Sequence, residues 1–165
     1  MTNVVNLGKD DVMKSEKYKS IPDPEDDIVS DVLVGYTNIS ASQQYLLIER
    51  IQKGISYKSF ANLIRQSPFT ITEWSSFLHL TDRTLLRYKA GNKTFEGIYA
   101  EKVIELTMFI KKGIDTFQTK DRFSEWLHGG NVALGGYKPI DLLVTSVGIE
   151  LVTRELIRID YGILA

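Results

Sequence analysis

The side chains of this 165-residue chain whose types and spacing could do chemistry gather in one stretch, Thr81-Asp82-Arg83-Thr84-Leu85-Leu86-Arg87-Tyr88-Lys89, with Lys93 just beyond. Read as a helix capped by Thr81, the stretch puts Thr84, Leu85 and Tyr88 on one face and Arg83 and Arg87, four apart, on another. Hydroxyls, guanidinium groups and free backbone N–H groups then meet at one helix end. Such groups hold phosphates, and Arg can read the O6 and N7 edge of guanine in the major groove. The candidate DNA-binding residues are therefore Thr81, Asp82, Arg83, Thr84, Arg87, Tyr88, Lys89 and Lys93.

Covalent and metal chemistry have far less to work with. There is no cysteine, hence no disulfide, thiolate nucleophile or cysteine zinc site, and only two histidines, His79 and His128. Glu101 and Glu105 lie four apart with no histidine near them in sequence and read as solvated. His128 closes a helix, where a cation suits the dipole. Gly129-Gly130 and Gly135-Gly136 form neither a Walker nor a dinucleotide motif. No catalytic residue, metal site or cofactor is assigned, and the chain reads as non-enzymatic.

Net charge is -1, from 20 Lys and Arg against 21 Asp and Glu, but it is unevenly spread. Residues 1–27 carry -3 and residues 121–165 carry -2, while residues 57–93 carry +4 from Lys58, Arg65, Arg83, Arg87, Lys89 and Lys93 against Glu73 and Asp82. The basic stretch coincides with the chemistry-bearing helix. A solvated helical face can give the same imbalance. No run approaches the roughly 18 apolar residues of a membrane span, and the charged first twenty do not resemble a signal peptide. A cytoplasmic chain with no membrane partner is expected.

The elements that must position these groups are helical. Residues 1–39, with the acidic run Ile21-Pro22-Asp23-Pro24-Glu25-Asp26-Asp27, read as a mobile arm or linker, and residues 28–39 are ambiguous between strand and buried segment. Ser40 with Gln43 resembles a capping box opening a helix over 41–53, with Leu47, Ile48 and Ile51 recurring at helical spacing and Gly54 as stop. Ser56 caps a second helix burying Phe60, Leu63 and Ile64, and Thr70 a third burying Trp74, Phe77 and Leu78. Thr81 caps a fourth, with Leu85 and Leu86 as its apolar residues, closing at Gly91. Between these last two, His79-Leu80-Thr81 forms a tight turn, and His79 takes the left-handed conformation usually given to Gly.

Tyr99, Val103, Leu106, Ile110 and Phe117 then mark one side of a helix of about five turns. A short helix around Phe123, Trp126 and Leu127 stops at Gly129-Gly130. Pro139 opens another, with Ile140, Leu143, Val144 and Val147 inward, which Gly148 interrupts, and Ile149, Val152, Leu156 and Ile159 mark the last. The fold expected is all-α, with a helix–turn–helix domain over 40–118 and a small helical domain over 119–165. An αα-hairpin with an incidentally basic surface remains an alternative for residues 70–91.

Residues 54–162 resemble the Xre/MbcA/ParS-like antitoxin family of type II toxin–antitoxin modules. The segment Leu78-His79-Leu80-Thr81-Asp82-Arg83-Thr84-Leu85-Leu86-Arg87-Tyr88-Lys89-Ala90-Gly91 is similar to the family's Xre-type helix–turn–helix, with His79 in place of the usual turn glycine. The toxin-binding domain is matched by Phe123-Ser124-Glu125-Trp126-Leu127, Leu134-Gly135-Gly136, Pro139, Asp141-Leu142-Leu143, Thr145, Gly148, Val152, Leu156 and Tyr161-Gly162. The proline often found before Leu-Gly-Gly is missing from His128-Gly129-Gly130-Asn131-Val132-Ala133.

The resemblance implies a homodimer that neutralises a cognate toxin, commonly of the NAD-consuming RES-domain class, and represses its own operon by binding operator DNA. It assigns toxin contact to Trp126, Leu134, Gly135, Gly136, Pro139, Arg154, Arg158, Tyr161, Gly162, Ile163, Leu164 and Ala165. Apart from the resemblance, the terminal Ile163-Leu164-Ala165 would leave apolar side chains exposed on a lone monomer, which favours a docking tail. A DNA-binding regulator without a toxin partner, its C-terminal domain serving dimerisation, is the alternative function.

Overall fold

A computed structural model describes residues 41–162, in eight α-helices, one 3₁₀ turn and a two-stranded sheet. The Ser40 cap, the arm over 1–39 and the tail Ile163, Leu164 and Ala165 lie outside the described residues. Helix α1 (Ala41–Lys53) ends at Gly54, whose φ of 79° only glycine adopts freely. A Cβ at Gly54 would sit 2.6 Å from Thr94 Cγ2 and 2.7 Å from the Phe95 carbonyl oxygen. That close approach lets strand β1 (Ile55–Ser56) pair antiparallel with β2 (Thr94–Phe95), Ile55 opposite Phe95. Each strand is two residues long, too short for an alternating pattern, so a purely helical reading of the sequence omits the pair.

The sheet clasps the two ends of a three-helix unit. Helix α2 (Tyr57–Gln66) follows β1, and α3 (Ile71–Phe77) and α4 (Asp82–Ala90) lead to β2. Ser56 and Thr70 cap α2 and α3 through side chains that accept from Ser59 N and Glu73 N, as their positions in the sequence predict. Inside, Phe60 packs edge-on to Trp74 at 5.1 Å between ring centres and against Phe95 at 4.7 Å. The fully buried Trp74 indole N–H donates to the Ser67 hydroxyl at 3.1 Å, so its burial leaves no polar atom unpaired.

Helix α5 (Ile98–Phe117) is the spine. The sequence marks one apolar side, but burial falls on two: Ala100, Val103, Ile104 and Thr107 on one, Leu106, Phe109, Ile110 and Gly113 on the other. Phe109 stacks on Phe69 of the three-helix unit and packs against Phe123 of α6 (Lys120–His128). The core is therefore continuous across residue 118, at which the sequence divides the chain. A 3₁₀ turn (Val132–Leu134), α7 (Pro139–Leu142, Pro139 at its first turn) and α8 (Ser146–Asp160) complete the fold, α8 packing along α5.

Ile48 and Leu86 are exposed, at 49% and 60%, because α1 and α4 bury only one narrow edge, through Leu47 and Ile51 and through Leu85 and Tyr88. Two expectations are corrected. Val147, expected inward, is 76% exposed. Gly148 does not interrupt a helix: the break lies at residues 143–145, where Thr145 caps α8 by accepting from Gly148 N at 3.0 Å. The first turn of α8 sits so tightly on the end of α7 that a Cβ at Gly148 would fall 1.8 Å from the Leu142 carbonyl oxygen. Glycine is thus needed for space, at a backbone angle any residue could take. Gly148→Ala is expected to lower unfolding stability by about 2–3 kcal/mol, the upper range for overpacking, since the opposing atom is backbone; urea denaturation measures it.

Candidate functional site

The candidate DNA contacts sit on α4 and the turn before it. Thr70 Oγ1 accepts from Glu73 N at 3.2 Å, and Glu73 Oε2 accepts from Thr70 N at 2.6 Å, closing a reciprocal cap on α3. The chain then reverses through His79, whose φ is 52°, with Leu80 N donating to Ser75 O at 2.9 Å. Thr81 Oγ1 accepts from Thr84 N at 3.2 Å and starts α4. Asp82 turns its carboxylate back onto α3, accepting from the Thr72 hydroxyl at 3.2 Å and from the Ser75 hydroxyl. This pins the angle between α3 and α4 without glycine in the turn.

The eight candidates thus divide. Thr81 and Thr84 are occupied in capping, and Asp82 holds the two helices together. Tyr88 is half-buried, stacked on Phe95 with ring centres 4.7 Å apart, and Lys93 Nζ lies 5.8 Å above the Tyr88 ring. Arg83, Arg87 and Lys89 are exposed, and among the described residues none forms an ion pair. With Leu85 buried inward, the outward face of α4 is Arg83, Leu86, Arg87 and Ala90, all exposed.

The candidate partner contacts divide in the same way. Trp126 on α6 is half-buried, 5.3 Å from Phe117 and 6.2 Å from Phe123 between ring centres. Leu134 and Pro139 are buried in the core. Gly135 and Gly136 are exposed, with φ of 70° and 84°, in a loop closed by Gly136 N donating to Asn131 O at 2.8 Å and Asn131 N to Tyr137 O at 3.1 Å. A Cβ at Gly136 would meet nothing within 4 Å, so its backbone angle, and not crowding, calls for glycine. Arg154 is exposed, while Arg158 Nη1 donates to the nearly buried Glu155 at 3.3 Å. Tyr161 and Gly162 are exposed at the end of α8, where Asp160 pairs with Lys112. Trp126 and the end of α8 are therefore both anchored on the last turns of α5. Val132 and Tyr137 add exposed apolar surface beside the glycine loop, which no periodicity in the sequence marks.

One contact joins the two regions. His128, expected only at a helix end, donates from Nδ1 to Ser124 O at 2.7 Å and reaches Glu73 Oε1 with Nε2 at 2.8 Å. The Glu73 that caps α3 is thus also tied to α6. The Ser124 carbonyl first, and then Glu73, raise the His128 imidazole above its ordinary value, with burial and Lys138 opposing. For Glu73, burial pushes the carboxyl up, but hydrogen bonds from the Thr70 N–H, His128 and the Thr70 hydroxyl together hold it below the usual range. Among the described residues no group of three or more His, Asp or Glu is placed to hold a metal ion, and no helix is long and apolar enough to cross a membrane.

The pH dependence follows. The raised His128 contributes stability that is full below the unfolded imidazole value and is lost as pH rises through the folded one. The depressed Glu73 contributes stability that is full above the unfolded carboxyl value and is lost as pH falls. The bridge is strongest between the two ranges. The Tm difference between the parent chain and His128→Gln should be larger at about pH 5.5 than at about pH 8.5; an equal difference at both would show that the bridge adds nothing.

Residues 112–162 match the family described as the antitoxin Xre/MbcA/ParS C-terminal toxin-binding domain. A protein of Sphingobium sp. (strain YBL2) named Prs ADP-ribosylating antitoxin is 27% identical over 124 residues, covering 70% of this chain and 78% of that one. A chain of the crystal structure of the M. tuberculosis MbcT–MbcA toxin–antitoxin complex superposes with a TM-score of 0.51 at 19% identity, covering 64% of this chain and 93% of that one, a likeness of fold.

Proposed function

We propose that this chain, whose residues 112–162 match the toxin-binding domain of the Xre/MbcA/ParS antitoxins, is an antitoxin of that family that neutralises a cognate toxin with that domain and represses its own operon with α4. The match of residues 112–162 to a toxin-binding domain is the observation that carries the first part. The contacts proposed for the toxin are the half-buried Trp126 and Arg158, the exposed Gly135-Gly136 loop, Arg154, Tyr161 and Gly162, together with Ile163, Leu164 and Ala165, which lie outside the described residues. Leu134 and Pro139 serve from within by holding the loop. The toxin is of the RES-domain, NAD-consuming class. The name of the Sphingobium relative supports the NAD-consuming part of that reading, because ADP-ribosylation draws its ADP-ribose from NAD.

For DNA, the support is the outward face of α4, with Arg83 and Arg87 exposed one turn apart and Lys89 beside them. Capping by Thr81 and the Asp82 contacts to α3 hold that face in one orientation, which a helix entering the major groove needs. Lys93 and the first backbone N–H groups of α4 are the phosphate contacts. A homodimer would present two such helices to an operator of two half-sites. The chain itself supplies binding surfaces and no reaction.

Arg83→Ala with Arg87→Ala should weaken binding to the DNA upstream of the reading frame by on the order of 10–100-fold. The dependence on log salt should flatten by about two contacts, while toxin inhibition is retained. Equal loss of both activities would point to unfolding. Deleting Ile163 to Ala165 should impair rescue of cells expressing the neighbouring toxin gene and spare DNA binding. If the chain neither copurifies with nor inhibits that gene's product, the antitoxin reading fails, and salt-dependent DNA binding alone would leave a regulator without a toxin.

A further inference from the structure

On the outward face of α4 three of the four side chains fit a polar or small-residue surface, and one does not. Leu86 is 60% exposed, with Arg83 three residues before it and Arg87 directly after. It is not a core residue displaced by a turn, because Leu85 already fills the inward position at 1% exposure and Tyr88 closes the same side on Phe95. Nor does the helix need an apolar residue at this place. We propose that Leu86 reads sequence, by packing on the 5-methyl group of a thymine in the major groove. The inference rests on the DNA-binding reading of this face and deepens it.

The chemistry of the groove selects the ligand. Arg83 and Arg87 can donate to phosphates or to guanine, so cationic binding alone would favour no thymine. Leucine has neither donor nor acceptor. Set against the N4 amino group of cytosine or the N6 amino group of adenine, it would strip water from a donor and offer nothing in return. The one apolar feature that a base pair displays in the major groove is a pyrimidine 5-methyl group. Two flanking guanidinium groups supply the attraction that brings the helix in, and the exposed leucine between them loses water only when a methyl group meets it. Methylated cytosine carries the same group, so the shared chemistry is a 5-methylpyrimidine, and we assign thymine as its source in unmethylated DNA.

The test uses the full chain and three synthetic duplexes covering the DNA immediately upstream of its reading frame. One is unmodified, one has deoxyuridine for every thymidine, which keeps pairing and removes only the 5-methyl groups, and one has deoxyuridine with 5-methylcytosine. The parent chain should bind the uracil duplex about fourfold more weakly for each half-site engaged, the factor for one buried methyl group, and so about fifteenfold for a dimer on two half-sites. Leu86→Ala should bind the unmodified duplex with a similar loss and show no difference between thymine and uracil, while Leu86→Met keeps the preference. Equal binding of the first two duplexes by the parent chain, or an undiminished preference in Leu86→Ala, would overturn the proposal. Tighter binding of the third duplex than of either of the first two, lost in Leu86→Ala, would overturn thymine in favour of methylcytosine. Absence of salt-dependent binding to any duplex would instead sink the DNA-binding reading, and this inference with it.

Discussion

The structure depends on one doubly engaged side chain, Phe109. Its ring lies parallel to Phe69, 6.5 Å away between centres, and 5.6 Å from Phe123 on its other flank. Phe69 belongs to the aromatic cluster of the three-helix unit, and Phe123 to the helix that carries Trp126. A helix buried on two faces cannot shift against one neighbour without opening a gap at the other, and interiors tolerate such gaps poorly. Gly113 tightens the constraint one turn later, where a Cβ would fall 2.0 Å from the Phe123 ring. The α4 face and the surface around Trp126 are in this way held in one geometry by α5.

Around that spine the local devices are polar and short-ranged. A turn with histidine in the left-handed region would be expected to leave the angle between two helices loose. Here the angle is held by Asp82 accepting from Thr72 and Ser75, and by the β1–β2 clasp that ties the start of α2 to the chain leaving α4. These hydrogen bonds are partly exposed and individually worth about 1 kcal/mol. Their effect is one of orientation: α4 keeps its arginines outward because its inward face is already committed to Leu85 and Tyr88.

Glu73 has a place in both halves. Its backbone and carboxylate complete the cap of α3, and the same carboxylate meets His128 at the end of the Trp126 helix. A partner that moved the end of α6 would therefore act on the first turn of α3, while the aromatic contacts of α5 resist wholesale separation. The exposed loop with Gly135, Gly136 and Tyr137 begins three residues after His128, so the contact lies at the root of the proposed toxin surface.

Much of this was legible in the amino-acid sequence. Ser56, Thr70 and Thr81 are caps because their hydroxyls precede apolar runs, His79 is a turn because the spacing leaves it no helical place, and α5 declares itself by a long 3.6-residue period. Such signals are local, set by backbone propensity and by which side chains avoid water. Tertiary structure decided what no local rule contains: that Asp82 turns back onto α3 and Tyr88 packs on Phe95 while Leu86 faces out, that α5 has a second buried side, and that Gly148 stands inside a helix, where Leu142 leaves no space for a methyl group. The two-residue strands and the Glu73–His128 contact, 55 positions apart, belong to the same class. The sequence determined which segments are helical and where charge collects, because those follow from neighbours along the chain. Which groups remain free to meet a partner depends on packing between distant segments, and only the fold settles that.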